Sequence, residues 1–311
     1  MNWEERYHHL LNGDYENGWP YHEEILCCEP KNEKYDASTY GKPIWNGDFE
    51  PITLLINAEF GDGDTIQFFR FVKLAKKRVK KVILKCNLDF KFLFKDVEIN
   101  GRNEELPEFD KVIHMMALAR VLNVKKEDIS GEKYIEANLD YAPPKETQLI
   151  SAFKFHKFGI NWAGNPFCKR DPIRSINKDV FKKLNIVDGL TFFSLNALNE
   201  PPSNCFDCRG IMLNWNETAH LISQMTLVIT VETAVACLAG AMGIPVWVLV
   251  PTCNPEWRWG LEGSDTFWHD SMKLYRFDQS WEKTMDLVAH DFKELVDSLS
   301  SKNLTGVSCG I

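Results

Sequence analysis

Short apolar runs and helix-forming segments alternate along most of this sequence, and no other feature constrains its fold as strongly. The first unit, residues 52–70, reads ITLLINAEFGDGDTIQFFR. Its opening residues are mostly aliphatic, which predicts a buried strand. Two glycines then break the pattern, and Ile66, Phe69 and Val72 fall at helical spacing, which predicts a helix from residue 65 onward. A strand, a glycine-containing loop and a helix in this order place backbone N–H groups beside any ligand bound over the loop.

Two such alternating series follow each other along the chain. The first is predicted over residues 51–145 and the second over residues 146–311, because residues 141–144 (YAPP) interrupt the pattern. Alternation of this kind predicts an α/β protein with two Rossmann-like domains facing a central cleft. Residues 1–50 are expected to form a helical and irregular segment whose aromatic side chains pack against the next domain. Expected strands of the second series include residues 190–195, 210–213 and 246–250.

The composition argues against a nucleic-acid-binding, a secreted or a membrane-spanning protein. A net charge of -8 and a sequence pI near 5.6 give no global positive field that would draw the chain to nucleic acid or anionic lipid. The nine cysteines follow no disulfide framework and no targeting segment opens the chain, which indicates a cytoplasmic location. The apolar residues 234–250 are interrupted at Gly243 and Pro245, so a helix, a tight turn and a strand are favoured over a membrane span.

Three loops follow predicted strands at their carboxyl ends, where open parallel sheets bind ligands. The first contains glycines and a carboxylate at a helix start. The second contains cations and a tight backbone suited to a diphosphate, and the third leads into a helix whose N–H groups and threonine hydroxyl can hold phosphate or sugar oxygens. Taken singly, such loops occur in any α/β protein. Their residues are Gly61, Gly63 and Asp64 in the first, Gly164, Asn165, Lys169, Arg170 and Arg174 in the second, and Glu232, Thr233 and Ala234 in the third.

The order and spacing of several longer segments carry a more specific signal. These segments are INAEFGDGDTIQFFRF, INWAGNPFCKRDPIRSI and LVITVETAVACLAGAMGIPVWVLVP, followed by EWRWG and SMKLYR. Together they resemble the heptosyltransferase-like glycosyltransferases of family nine, especially the domain that follows tetratricopeptide repeats in bacterial proteins. The resemblance covers the chain from residue 52 to the last helix, and the opening LLNGDYENGWPYHEE resembles the half-repeat that precedes that domain.

The resemblance implies a GT-B fold and an inverting, metal-independent glycosyltransferase that moves a sugar from a nucleotide-diphosphate donor to an acceptor hydroxyl. It assigns the general base to Asp64, and a carboxylate at a helix N-terminus suits the removal of a hydroxyl proton. The acceptor-side loop then contains Gly61, Gly63 and Gln67. The nucleotide sugar is a co-substrate, so no cofactor and no metal are expected. A glycan, a lipid-linked glycan, a protein side chain or a nucleobase remain open as acceptors.

On the donor side, the resemblance implies that cationic side chains and the backbone amides at the start of the helix after the third loop stabilise the leaving diphosphate. The family usually has Asp-Thr and then His four residues after that threonine, whereas this chain has Glu232 and Cys237. A non-catalytic module that binds a nucleotide or sugar is therefore kept as an alternative, and a sugar-nucleotide epimerase as a third. The expected donor-binding residues are Asn165, Lys169, Arg174, Glu232, Thr233, Ala234 and Cys237.

Two other motifs are weaker. Asp62 and Asp64 form a literal D-x-D, which binds a divalent metal in GT-A enzymes, but here the triplet follows the first strand and opens a helix, so a metal site is not favoured and Asp62 is left without a role. Cys205 and Cys208 form a single C-x-x-C without a second pair of ligands, which favours plain loop cysteines over a zinc site. His114, His156 and His269 are scattered along the sequence, and His269 in the last loop is a candidate for lining the cleft, although a role outside the cleft is favoured.

Overall fold

The computed structural model describes residues 3–21, 40–58, 60–138, 145–153, 155–185 and 190–305. Within these ranges, ten strands form two separate parallel sheets, and helices fill most connections between the strands. The predicted architecture of two α/β halves is confirmed. The predicted break at residues 141–144 lies outside the described residues, and the chain passes from one sheet to the other between the fourth and fifth strands.

The helices and strands are numbered in chain order within the described ranges. The α-helices are α1 (Trp3–Leu11), α2 (Tyr15–Gly18), α3 (Asp62–Lys76), α4 (Leu118–Val121), α5 (Lys145–Ser151), α6 (Asp171–Arg174), α7 (Trp215–Ile222), α8 (Ala234–Ala241) and α9 (Trp281–Thr305). The strands are β1 (Glu50–Asn57), β2 (Val79–Cys86), β3 (Glu98–Gly101), β4 (Lys111–His114), β5 (Lys157–Asn161), β6 (Thr191–Ser194), β7 (Cys205–Asp207), β8 (Leu227–Val231), β9 (Val246–Val250) and β10 (Met272–Arg276). Short 3-10 helices span Leu88–Phe92, Met115–Ala117, Lys126–Asp128, Lys178–Leu184 and Trp257–Trp259.

The first sheet has the strand order β3-β2-β1-β4. Strands β2 and β3 therefore lie on one side of β1, and β4 lies on the other side. Helix α3 connects β1 to β2 and begins at Asp62, three residues before the predicted start. Gly61 takes the N-cap position in an extended conformation (φ -70°, ψ 164°), and Gly63 follows inside the first turn. The predicted loop is therefore too long, because it ends at Gly61 and Gly63 already belongs to the helix, whereas Asp64 lies at the helix start as predicted. A glycine is tolerated in a first helical turn that two aspartates stabilise through the helix dipole.

The second sheet has the order β10-β9-β8-β5-β6-β7. The chain builds outward from β5 to β7 and then returns to β8 on the opposite side of β5, so the strand order reverses between β5 and β8. Ligands of open α/β sheets bind beyond the carboxyl ends of strands at such a reversal. The strand predicted at residues 210–213 is wrong, because the sheet instead ends with β7, whose Phe206 is paired with Phe193 of β6.

One hydrophobic core runs through both halves and includes α3, α8 and the N-terminal helices. Helix α3 packs against α8. Within α8, Gly240 has no side chain and so leaves room for the His269 ring; a Cβ at this position would lie 2.7 Å from that ring. In the N-terminal segment, Tyr15 and Trp19 are buried and stacked with their ring centroids 4.7 Å apart. The prediction that aromatic residues of this segment pack against the rest of the chain is confirmed for these two.

The apolar segment 234–250 forms α8, a turn and β9, as predicted. Gly243 has a positive φ of 71° in the turn, a conformation that favours glycine. Among the residues that the structure describes, no helix has both the length and the apolar character needed to cross a bilayer.

Candidate active site

A cavity of about 840 Å³ lies between the carboxyl ends of the two sheets and takes side chains from both halves. Its size is within the range of small-molecule sites. It brings together most of the residues that the sequence singles out, whereas Gln67 and Lys169 do not line it. The predicted residues in its lining are Gly61, Gly63, Asp64, Asn165, Arg174, Glu232, Thr233, Ala234 and Cys237.

Asp64 lies in the first turn of α3 and forms an ion pair with Arg258. The guanidinium Nη2 donates to Asp64 Oδ1 at 3.0 Å, and Nη1 of the same group contacts Glu256 Oε2 at 2.7 Å. The Arg258 side chain is 3% exposed, whereas that of Asp64 is 34% exposed. Burial lowers the pKa of Arg258, but the two carboxylates outweigh burial and the pKa is raised. The arginine is therefore a fixed cation that aims a partly exposed carboxylate into the cavity.

Asp62, two residues earlier, makes a contact between the two halves. Trp215 Nε1, at the start of α7, donates to Asp62 Oδ2 at 2.7 Å, and Asn87 Nδ2 donates to the same oxygen at 3.2 Å. Arg102 lies 3.5 Å from the other oxygen. The residue that has no role in the sequence interpretation thus joins the first helix of one half to a helix of the other.

The structure offers a potential metal-binding group elsewhere. Within the described residues, His290, Asp291 and Glu294 on α9 are the group whose ligand atoms lie close enough to hold an ion. Asp291 accepts hydrogen bonds from Lys273 at 2.6 Å and from Tyr275 at 2.7 Å. None of these three potential ligands lines the cavity.

The second loop supplies two guanidinium groups to the cavity. Arg174 Nη1 donates to the backbone oxygen of Glu232 at 3.0 Å, and Arg174 packs against Gly164, where a Cβ would collide with its guanidinium. Arg170 Nη2 donates to Glu232 Oε2 at 3.2 Å and to the Asn254 carbonyl oxygen at 2.7 Å. Lys169, the residue singled out from the sequence, is exposed, and its neighbour Arg170 lines the cavity in its place.

Glu232 is a buried carboxyl at the end of β8. The backbone N–H of Glu256 donates to its Oε1 at 3.1 Å, and Arg170 holds its Oε2. Burial raises the pKa of Glu232 to about 7, although Arg170 opposes the shift. This carboxyl therefore changes its charge near neutral pH, unlike an ordinary surface glutamate.

Thr233 occupies the N-cap of α8, but its hydroxyl is used elsewhere. Thr233 Oγ1 accepts from Asn161 Nδ2 at 2.9 Å, and Asn196 Nδ2 donates to Asn161 Oδ1 at 2.8 Å. The Thr233 side chain does not cap the first turn of α8. The start of α8, with Ala234 in the cavity lining, therefore presents the positive end of a helix without a capping oxygen from its N-cap residue.

A buried hydrogen-bond chain lies behind the cavity wall. Gln67 Nε2 donates to Cys237 Sγ at 3.5 Å, and His269 Nε2 donates to Gln67 Oε1 at 2.9 Å. Burial raises the pKa of Cys237 to about 12 and lowers the pKa of His269 well below its ordinary value, so both groups are neutral. Gln67 bridges α3 to the second half here, and His269 stands behind the cavity wall.

The N-terminal segment also contributes to the cavity, which the sequence interpretation missed. Tyr7 and Tyr21 line it, together with Trp257 and Trp259 of the loop before β10. The aromatic spacing in the segment indicates packing. It carries no information about which rings face a cavity whose other lining residues lie at positions 60 to 259. Trp257 and Trp259 are also largely buried, as expected from packing.

Two Rossmann-like halves whose strand-order reversals face one cleft define the GT-B class of fold. A glycosyl transferase family 9 protein from Veillonella parvula DSM 2008 superposes with a TM-score of 0.54 at 11% identity, over 78% of this chain and 91% of that chain. The iron-containing dodecameric glycosyltransferase TibC from enterotoxigenic E. coli H10407 superposes with a TM-score of 0.53 at 13% identity, over 84% of this chain and 78% of that chain. No family model and no curated protein sequence matches. The chain thus has the fold of these glycosyltransferases, and the predicted fold is confirmed.

Proposed function

We propose that this protein is an inverting glycosyltransferase that moves a sugar from a nucleotide-diphosphate donor to an acceptor hydroxyl. One observation carries the proposal. A single cavity between the two halves holds Asp64 on one side and Arg170, Arg174 and the start of α8 on the other. A carboxylate and a cationic, amide-rich wall are the two groups that such a transfer needs, and the fold supports this interpretation.

Asp64 acts as the general base. The acceptor oxygen bonds to the anomeric carbon as the bond from that carbon to the phosphate oxygen breaks, and Asp64 takes the hydroxyl proton. Arg258 holds the carboxylate in one orientation at 3.0 Å, while the exposed part of Asp64 meets the acceptor. A single displacement of this kind inverts the configuration of the transferred sugar.

Arg170, Arg174 and the first-turn amides of α8 receive the leaving diphosphate. Charge-assisted bonds from guanidinium groups and a helix N-terminus stabilise the negative charge that develops on it. When Arg170 turns to the phosphate, it releases Glu232. A buried carboxylate without its cation is costly. Burial raises the pKa of Glu232 and Arg170 opposes that shift, so the departure of Arg170 favours the protonated form of Glu232.

The test is transfer and hydrolysis assayed with a panel of nucleotide sugars, in the wild type and in Asp64→Asn. The variant should lose activity by about 100-fold or more, the usual range for a general base, and should still bind the nucleoside diphosphate. Asp62→Asn is the matched control, two residues away, and should retain most of its activity because the amide oxygen it introduces still accepts from Trp215. Transfer that survives in Asp64→Asn would remove this residue from the mechanism.

Metal independence is part of the proposal and has its own test. Transfer should continue in the presence of EDTA, because the two arginines supply positive charge at the phosphate. Activity that EDTA abolishes and magnesium restores, together with equal loss in Asp62→Asn and Asp64→Asn, would point instead to the D-x-D as a metal site.

A non-catalytic binding module is the second candidate. The buried, neutral Cys237 at the position of the family's histidine favours it, because a thiol with a pKa of about 12 is a poor replacement for an imidazole. Thermal stabilisation by nucleotides, without hydrolysis or transfer to any acceptor, would support the module and exclude the transferase.

A further inference from the structure

The N-terminal segment places two tyrosine rings in the cavity wall. Tyr7 on α1 and Tyr21, which follows α2, have ring centroids 5.5 Å apart at an angle of 43°. Tyr7 Oη donates to the backbone oxygen of Pro255 at 2.5 Å, which fixes α1 to the loop that carries Glu256 and Arg258. The two rings are thus a built part of the wall.

The rest of the segment is anchored to both halves of the protein. Trp19 Nε1 donates to the Val124 carbonyl oxygen of the first half at 2.7 Å, and Trp268 Nε1 of the second half donates to Tyr15 Oη at 3.1 Å. Burial of these large aromatic side chains, with their polar tips hydrogen-bonded, stabilises the position of the segment. The tyrosines therefore have a fixed position relative to the two halves.

The tyrosine rings lie beside the charges at the centre of the site. Burial raises the pKa of Tyr21 to about 12, and the charges acting on this phenol belong to Glu256, Arg170, Asp64 and Arg258. Tyr7 and Tyr21 line the same cavity as Asp64, the proposed base, and Arg170, a proposed diphosphate ligand. The reacting sugar must lie between these two groups, whereas the nucleobase must lie beyond the diphosphate.

We infer that Tyr7 and Tyr21 form a subsite for a pyranose ring at the reacting centre. This inference rests on the proposed function and specifies the ligand of that site. An aromatic ring presents an apolar face that can pack against the C–H face of a sugar. The sugar can be the one that the donor carries or the terminal residue of a saccharide acceptor, since both meet at Asp64.

The experiment compares Tyr7→Ala and Tyr21→Ala with Tyr40→Ala. Tyr40 is a matched control because it is half-buried, packs on Phe109 with a centroid distance of 6.1 Å and does not line the cavity. Calorimetric titrations use ADP, UDP and GDP as one set of probes, and ADP-glucose, UDP-glucose and GDP-mannose as the other. Circular dichroism and thermal melts establish that each variant is folded.

The subsite predicts a selective loss. Tyr21→Ala and Tyr7→Ala should leave the Kd of the nucleoside diphosphate unchanged and raise either the Kd of its sugar conjugate or the KM of the saccharide acceptor by about tenfold. The first result assigns the subsite to the donor sugar, and the second assigns it to the acceptor. Tyr7→Phe and Tyr21→Phe keep the ring face and should restore most of the binding, which a merely structural role of the phenols would not explain.

Two results would overturn the inference. Equal weakening of the nucleoside diphosphate and its sugar conjugate would make the rings a nucleobase subsite. Unchanged Kd values for both, together with an unchanged KM for the saccharide acceptor, would remove the rings from binding. The proposed function fails separately: a wild type that binds nucleotide sugars without turning them over refutes the transferase while the binding comparison still tests the subsite. A wild type that binds none of these probes refutes both.

Discussion

Replacing Glu232 by glutamine should change how the stability of the protein depends on pH. In the folded protein, burial raises the pKa of Glu232 from an ordinary value of 4.5 to about 7. The unfolded chain therefore ionises this group first, and the folded state loses relative stability as the pH rises from 4.5 through 7. At about 1.4 kcal/mol per pH unit, the loss between pH 5 and pH 8 is about 2–3 kcal/mol. Glutamine does not titrate, so Glu232→Gln lacks this loss.

The assay is urea denaturation of the wild type and of Glu232→Gln at several pH values between 5 and 8. All other titrating groups are common to both proteins, so the difference between their free energies of unfolding isolates Glu232. This difference should shift in favour of the variant by about 2–3 kcal/mol as the pH rises. A flat difference, or a shift in favour of the wild type, would mean that the ion pair with Arg170 outweighs burial and would refute the reasoning.

Two further substitutions each test one contact, the first between the two halves of the molecule and the second within the second half. Trp215→Phe removes the indole N–H that donates to Asp62 and should lower the free energy of unfolding, measured by urea denaturation, by about 1 kcal/mol. If the same substitution lowers the free energy of unfolding equally in an Asp62→Ala background, the effect belongs to another contact. Gly240→Ala brings a methyl group within 2.7 Å of the His269 ring and should cost about 1–3 kcal/mol, whereas Gly210→Ala, with nothing within 4 Å, should melt close to the wild type. Equal melting temperatures for the two alanine variants would contradict the packing argument.

The elements that sequence predicts well are those whose pattern is decided locally. Strand β9 matches its predicted range, because an apolar run bounded by Pro245 and Pro251 leaves little choice. Strand β7 is a three-residue edge strand of mixed polarity, Cys-Phe-Asp, and such a segment has no periodicity to detect. The apolar segment 210–213 attracts the strand prediction instead, although Leu213 is 68% exposed in the structure and lines the cavity.

The candidate site likewise contains some residues whose position can be predicted from the sequence and others whose contacts cannot. Asp64 and Arg174 lie in the segments that come after β1 and β5, so their place near the carboxyl edge of a sheet can be predicted from the order of elements alone. Tyr7 meets Pro255 across 248 positions of sequence, and Gln67 meets His269 across 202. Contacts of that range depend on how two completed halves and an N-terminal segment pack, and local patterns carry no information about them.

The two sides of the proposed chemistry are connected through one residue. Glu256 binds Arg258, the partner of Asp64, with its side chain, and binds Glu232, the partner of Arg170, with its backbone N–H. A donor that takes Arg170 from Glu232 therefore acts on the same segment that aims the base.

Glu256→Gln separates these two connections. It weakens the side-chain contact with Arg258 and keeps the backbone N–H, so it should lower kcat by about tenfold, corresponding to about 1.4 kcal/mol of transition-state stabilisation, while the nucleoside diphosphate Kd stays near the wild-type value. Single-turnover kinetics and calorimetry measure the two quantities. A variant that loses nucleotide affinity with unchanged kcat would show that Glu256 serves the donor side alone, because orientation of Asp64 would then not depend on its carboxylate.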